Sequence, residues 1–302
     1  GYGYLLKHFV PRLRRHGVTG EQLENLLIDN PRRVFQRGFQ ASFFIAEECN
    51  VMKQSVLLTG ESWVSTSTHI KGFDQFDSVT AHNGARRLLA AMADSDYQIT
   101  QMCADQAQTD FPATVEALSQ YQAVILSDIG ANTLLLHPDT WLRGKRTPNR
   151  LKALREYVLQ GGALMMVGGY FSFQGINGGA RYRGTPVEEV LPVRCLPYDD
   201  RVEVPEGFLP QINSGHPILQ GLGGEWPYLL GYNEVELHPE AQLLATVEGS
   251  QHPLLAAREV GAGRTLAWTS DLSEHWLPEA FLDWEGYRRF WINSLDWLTR
   301  RT

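Results

Sequence analysis

The chain has 302 residues, 43% of them hydrophobic, and a formal net charge of −7 at pH 7 with a pI near 5.7. That length and apolar content support one large core or two ordinary ones, and no stretch resembles the basic groove that a nucleic-acid partner needs. Cys49, Cys103 and Cys195 are too few and too far apart for a disulfide framework or a CxxC metal site, which favours a reducing cytoplasm. No apolar run reaches the roughly 18 residues of a bilayer span, so neither a membrane nor nucleic acid is expected as a partner.

Residues 1–39 are a compositional block of their own, with seven Lys/Arg against three acids, whereas 52–302 holds 20 against 29. Leu5, Leu6, Phe9, Val10 and Leu13 recur at helical spacing. Thr19 with Gln22 resembles the capping box of a second helix, "EQLENLLIDN", which Pro31 closes. The stretches Phe9-Val10-Pro11, Leu13-Arg14, Gly17-Val18 and Asn30-Pro31 through Phe35 resemble the C-terminal end of phosphotriesterase-related amidohydrolases. In that family the metal-binding His, Lys and Asp residues lie upstream of this tail, so the resemblance implies no hydrolase chemistry here. The segment "AEECNVMKQ" (46–54) reverse-translates readily to an AGGAG-like ribosome-binding sequence ahead of Met52. Residues 1–51 are therefore expected to be a helical segment read through from an upstream frame, and 52–302 the independent domain. The alternative is a helical extension packed on that domain.

From Met52 the pattern alternates. "SVLLTG" (55–60) reads as a buried strand and "AHNGARRLLAAMADS" (81–95) as a helix. "YQITQM" (97–102), "AVILSD" (123–128) and "ALMMVGG" (163–169) are further strands, separated by helices over 112–120 and 149–160, the latter stopped by Gly161-Gly162. Apolar runs of this kind between helices predict a parallel sheet covered on both faces. Right-handed crossovers make it a doubly wound, flavodoxin-like α/β fold. Beyond 185 come short β-forming stretches, "VEVPEG", "YNEVEL" and "AQLLATVEG". A hairpin is predicted over 252–271 about Gly-Ala-Gly. The last helix, 285–298, sets Tyr287, Phe290, Trp291, Ser294, Leu295 and Leu298 on one face, which predicts docking on the sheet.

Ligands of open α/β sheets bind beyond the carboxyl ends of the strands. That rule selects the loops "GESWVSTSTHIKGFDQF" (60–76), "SDIGAN" (127–132), "GYFSFQGINGGARYRG" (169–184) and "TSDLSEHW" (269–276). They supply Glu61, Ser62, Trp63, Ser127, Asp128, Gln174, Asn177 and Arg181 as ligand-binding candidates. His275 is the acid–base candidate, because imidazole titrates near neutrality, with Asp271 or Glu274 to orient it. Each also has a plain structural reading: His275 as a turn cap, Asp128 as the cap of "DIGAN", "NGG" as a turn. The histidines show neither HExxH nor an i,i+4 pair, so no metal is expected, and no Walker or GxGxxG spacing indicates a nucleotide cofactor.

The strand–Gly-Gly–Tyr corner with the late "SD...HW" segment, and above all "SDIGANTLLLHP" and "GGYFSFQGINGGARY", resemble the class I glutamine amidotransferase-like superfamily. The fit is to its ThuA-like and cytoplasmic glutamine amidotransferase-like branches, over about 52–300. A working glutaminase of that superfamily has a cysteine on the strand-to-helix elbow and a His with a Glu near the chain's end. Tyr170 stands where that cysteine would be, and a phenol with a pKa near 10 is a poor nucleophile. The expectation is a cytoplasmic protein that binds a small polar, carbohydrate-like metabolite between Tyr170 and His275 and is not a glutaminase. If it turns the ligand over, His275 is the base and Tyr170 the proton donor or hydroxyl-binding group, acting on a sugar or lactone. The alternative is a non-catalytic interaction module or homo-oligomer, with Trp63, Phe73, Phe76, Trp141, Trp226 and Trp284 as interface aromatics.

Overall fold

The computed structural model describes residues 10–15, 18, 19, 23, 53–213 and 215–301. The chain divides into two units, Gly1–Val51 and Met52–Thr302. In the first, helix Val10–Arg15 carries Pro11 in its first turn, where the missing N–H leaves no helical bond unmade. The second helix expected over 21–30 lies outside the described residues, apart from the buried Leu23.

The strands of the second unit are β1 (Gln54–Gly60), β2 (Ser62–Lys71), β3 (Asp74–Asn83), β4 (Tyr97–Met102), β5 (Ala123–Ser127), β6 (Ala163–Val167), β7 (Val193–Cys195), β8 (Arg201–Phe208), β9 (Pro210–Ile212), β10 (Leu229–Asn233), β11 (Val235–Leu237), β12 (Gln242–Val247), β13 (Pro253–Val260) and β14 (Gly263–Trp268). Eight form one sheet in the order β4-β1-β5-β6-β14-β13-β12-β9. The first five are parallel, in the doubly wound, flavodoxin-like order that the sequence predicts. Strands β13, β12 and β9 extend the sheet antiparallel, and the predicted hairpin is β13–β14, closed by Gly261-Ala262 between Val260 and Gly263.

Consecutive apolar residues are needed in these strands because each face of the sheet has its own core. Val56, Leu58, Ile125, Met165 and Val167 point to one side, against helices Arg86–Met92 and Gly286–Leu298. Leu57, Val124, Leu126, Leu164 and Met166 point to the other, against helices Ala104–Asp110 and Arg150–Leu159. Side chains that alternate faces along a strand are thus buried at every position, each worth about 1.5–3 kcal/mol for a large aliphatic group. All six positions predicted on the inner face of the last helix are buried.

Three stretches differ from the sequence reading. Residues 62–83, expected as a loop followed by the start of a helix, are the hairpin β2–β3, paired over all ten positions from Ser62–Asn83 to Lys71–Asp74. Its signal was present: β-branched Val64, Thr66, Thr68, Ile70, Val79 and Thr80 favour strand, and Gly72, at φ 67°, opens a two-residue turn. The helix begins only at Arg86, after the Asn83 side-chain carbonyl has accepted the Ala85 N–H. The helix expected over 112–120 is one turn, Val115–Leu118, capped by Thr114. A helix at Ala104–Asp110 was missed because "ADQAQTD" shows almost no apolar periodicity; only Ala107 is buried.

Candidate functional site

Strand order reverses between β1 and β5, whose ends lie side by side with Gly60 opposite Ser127, and the next residues of both strands are acidic. Glu61 and Asp128 each adopt left-handed backbone, φ 54° and 44°, a conformation uncommon for side-chain-bearing residues and found disproportionately at functional sites. The Glu61 N–H donates to the Ser127 carbonyl at 3.0 Å, and its own carbonyl accepts from Gly84 at 2.9 Å. The turn this makes drives the Glu61 carboxyl inward, where Ser127 Oγ donates to it at 2.6 Å and Ser273 Oγ lies at 3.5 Å.

At the end of β6 the chain turns at Gly169, φ 142°. A Cβ on Gly168 would come 2.1 Å from the Thr269 carbonyl oxygen, so Gly168 is dictated by its neighbour β14. The apex of the corner is Gly169, and Tyr170 follows it. The corner leads into turns and a single 3-10 turn at Ile176–Gly178 in place of a helix. Two residues distant in sequence clamp it. Asn233 accepts the Gly169 N–H and donates to its carbonyl and to Asp200, while the two Asp200 oxygens accept the N–H groups of Gln174 and Gly175.

A cavity of about 500 Å³ opens over these strand ends. Its lining comes from Glu61, Trp63 and Val64 after β1, Asp128 after β5, Tyr170 and Phe171 after β6, and Asp271, Ser273 and His275 after β14. Asp128 accepts the Phe171 N–H at 2.7 Å. Asp271 spends one oxygen on the N–H groups of Leu272 and Ser273, at 2.6 and 3.3 Å; its other oxygen lies 4.0 Å from His275 Nδ1. The Tyr170 ring meets His275 edge-on. The Tyr170 hydroxyl donates to Glu203 at 3.1 Å, with the Arg201 guanidinium 4.8 Å over the ring.

Crowding acids in a dry place changes their protonation. Burial first, then the charges of Asp271 and Asp128, push Glu61 well above the usual carboxylate range. Burial, then Asp128, pushes Asp271 up to about 8. Asp128 is raised by burial and partly held back by the backbone N–H of Phe171 and by His275. Burial lowers the His275 imidazole, and burial followed by Glu203 raises the Tyr170 phenol. Near neutral pH Asp271 therefore keeps its proton, burial favours the neutral form of the His275 imidazole, and the Tyr170 phenol is pushed away from a nucleophilic phenolate.

Of the residues singled out in the sequence, Glu61, Trp63, Asp128, Tyr170, Asp271 and His275 line the cavity, with Ser127 directly behind Glu61. The others lie elsewhere. Ser62 accepts the Ala104 N–H, Asn177 donates its N–H to Asp199, and Gln174 is held on Asp200. Arg181 and Glu274 are exposed and outside the lining. Ser273, Phe171 and Val64 were missed although each lies in a stretch the sequence marked; Asp200, Asn233, Arg201 and Glu203 carried no local signal. Trp226 and Trp284 pack in the core rather than on an interface. Cys103 stands at the start of a helix, and Cys195 is buried in β7 with its thiol pushed up by burial; neither lines the cavity. Cys49 lies outside the described residues. Among the described residues no three His, Cys, Asp or Glu side chains are grouped to hold a metal, and no helix is long and apolar enough to cross a membrane.

Residues 55–300 match the family described as "Putative glutamine amidotransferase", and residues 1–35 match the phosphotriesterase family. Two solved proteins of Salmonella typhimurium are similar. Cytoplasmic Protein STM3548 is 39% identical, with a TM-score of 0.77 over 80% of this chain and 98% of that one. Cytoplasmic Protein STM1381, from strain LT2, is 41% identical, with a TM-score of 0.77 over 81% and 99%. A thua-like protein of Bacteroides uniformis, 10% identical with a TM-score of 0.50 over 84% of this chain and 95% of that one, shares the fold alone. The "Phosphotriesterase homology protein" of Mycobacterium tuberculosis is 49% identical over 41 residues, and this chain spans only 13% of its length.

Proposed function

Because its residues 55–300 make this chain a member of the glutamine amidotransferase-like family, we propose that it uses the family's site position for a ligand other than glutamine: a small, neutral, polyhydroxylated molecule of carbohydrate type. The observation that carries this reading is the composition of the cavity. Glu61, Asp128, Asp271 and Ser273 line about 500 Å³ together with Trp63, Tyr170 and Phe171. Protonated carboxyls both donate to and accept from hydroxyl groups, and aromatic faces pack against the C–H face of a sugar ring. The volume suits one such ring with its substituents. Among the described residues neither Cys103 nor Cys195 lines the cavity, so thiol chemistry draws no support from them. On their likeness to the two Salmonella cytoplasmic proteins, we place the chain in the cytoplasm.

A second reading, turnover, is favoured by the His275–Asp271 pair. An imidazole lowered by burial is free to take a proton from a ligand hydroxyl, while a carboxyl that keeps its proton up to about pH 8, 4.0 Å away, can return one. That arrangement suits isomerising a sugar or, where the imidazole takes its proton from a water that adds to the carbonyl and the carboxyl returns one to the departing ring oxygen, hydrolysing a lactone.

Thermal-shift and calorimetric titration against polyols, aldoses, sugar acids, lactones and amides tests both. The expected result is a stabilising shift with a neutral polyhydroxylated compound that disappears in Asp128→Asn and His275→Ala, and no release of ammonia from glutamine. Ammonia release that is lost in Cys103→Ser or Cys195→Ser would sink the proposal.

A further inference from the structure

The hairpin β2–β3 is a feature that neither the sheet nor the cavity explains. Among the described residues neither of its strands pairs with any strand but the other. Val64, Ile70, Phe76 and Val79 are each more than half exposed, and Phe73 at the tip fully so. A two-stranded ribbon with water on both faces is marginal by itself; further strands or a covering surface are needed to hold it. Open edges are normally blunted by proline, bulges or charge. Strand β2, "SWVSTSTHIK", has no proline, no acid and no bulge, and its one fixed charge, Lys71, sits at the tip opposite Asp74.

We infer that the open edge of β2 pairs antiparallel with β2 of a second copy of this chain, about a two-fold axis at Ser67, giving a continuous four-stranded sheet. The occupant follows from self-complementarity. With the axis at Ser67, Ile70 lies opposite the partner's Val64, Thr66 opposite the partner's Thr68, and Lys71 opposite the partner's Trp63. Pairs of this kind join residues of the same parity, so the apolar row of one strand continues into that of the other on one face, and Val79, which pairs with Thr66 within the hairpin, widens it. One patch serves both chains, as a two-fold interface requires. The charges permit it: Lys71 pairs with Asp74 beside the turn, and Asp77 accepts from Thr68 across the hairpin, so two arms meet with little repulsion. An anionic membrane or nucleic acid would instead need a basic arm on a chain whose net charge is −7. Because Trp63 and Val64 at the root of β2 line the cavity, the pairing also braces that wall.

Sedimentation velocity and light scattering of the full chain at micromolar concentration test this. The wild type is expected at the mass of two 34.0 kDa chains. Thr66→Pro removes an edge N–H, because the hydrogen-bonded pair Lys71–Asp74 beside the turn directs the backbone groups of 71, 69 and 67 to β3 and those of 70, 68 and 66 to the open edge. Ile70→Lys places charge in the joint; both positions are exposed, and both variants are expected at the mass of one chain with unchanged circular dichroism. Ser67→Cys brings two thiols together at the axis, so mild oxidation should link most chains in pairs, against no linkage without the added cysteine. A wild type at the mass of one chain, a two-chain species that survives both Thr66→Pro and Ile70→Lys, or Ser67→Cys that fails to link would overturn the inference.

Discussion

The Tyr170 and His275 rings meet edge to face, 4.4 Å between centroids at 81°, with the Tyr170 hydroxyl turned away to Glu203. The two residues come from different strand ends, β6 and β14, which are neighbours in the sheet. Tyr170 therefore serves the cavity through its ring. Tyr170→Phe should keep the wall and lose only the hydrogen bond to Glu203, costing about 1 kcal/mol of stability and leaving ligand affinity within a factor of about three. Tyr170→Ala should weaken binding at least tenfold by calorimetry. A loss in Tyr170→Phe as large as in Tyr170→Ala would return the hydroxyl to the role the sequence suggested for it.

Asp271 makes the stability of the fold depend on pH. Above its ordinary value of 3.8 the unfolded chain gives up this proton, while the folded chain keeps it up to about 8. The native state thus binds more protons across that window and loses stability as pH rises through it, by at most about 1.4 kcal/mol per pH unit. Asp271→Asn keeps an oxygen for the N–H groups of Leu272 and Ser273 and removes the titration. Its melting temperature should match the wild type near pH 4 and exceed it increasingly toward pH 8. An equal offset at every pH would contradict this account.

Gly84 is set by the acid it touches. A Cβ there would lie 2.5 Å from Glu61 Oε2 and 2.8 Å from Ser273 Oγ, so Gly84→Ala must displace the Glu61 carboxyl or the β3–helix connection. The expected cost is about 1–3 kcal/mol in chemical denaturation, accompanied by loss of the ligand-induced thermal shift. Gly84→Ala with wild-type stability and binding would show that the Glu61 pocket is slack.

Trp226 tests core against interface. It packs among Trp268, Phe281, Trp284 and Phe290 with ring centroids 4.9 to 6.4 Å away. Trp226→Ala should cost about 3–5 kcal/mol without altering the mass of the assembly. A change of assembly at unchanged stability would restore the interface role first considered for this residue.

Below its lowered pKa, His275 gains a proton and can no longer accept one from a ligand. Below the pH at which Asp271 gains its proton, about 8, affinity for a hydroxylated ligand should therefore hold steady down past the ordinary 6.5 and fall only below it, and His275→Gln should flatten that part of the profile. A decline that begins above 6.5 would argue that His275 is not the acceptor.

The order of elements was legible because each buried strand and each amphipathic helix writes its own periodicity: the runs at 55–60, 123–128 and 163–169 and the inner face of 285–298 needed no knowledge of their neighbours. The positions beyond the parallel strands, Glu61, Asp128 and Tyr170, followed from a topological rule applied to those runs. Hairpin β2–β3 was read as a loop over 60–76 and the start of a helix at 81, although its β-branched residues and Gly72 were in view, because a ribbon exposed at nearly every position writes no buried apolar run. What only the tertiary structure decided is which loop residues meet. Asn233 and Asp200 clamp a corner far from them in the chain, and Gln174 and Arg181, equally polar on paper, are held away from the cavity. Protonation belongs to the same class. Glu61 and Asp271 are ordinary acids in the sequence, and they keep their protons only because folding takes both out of water and sets them beside Asp128, a long-range effect of burial and charge that no local pattern records.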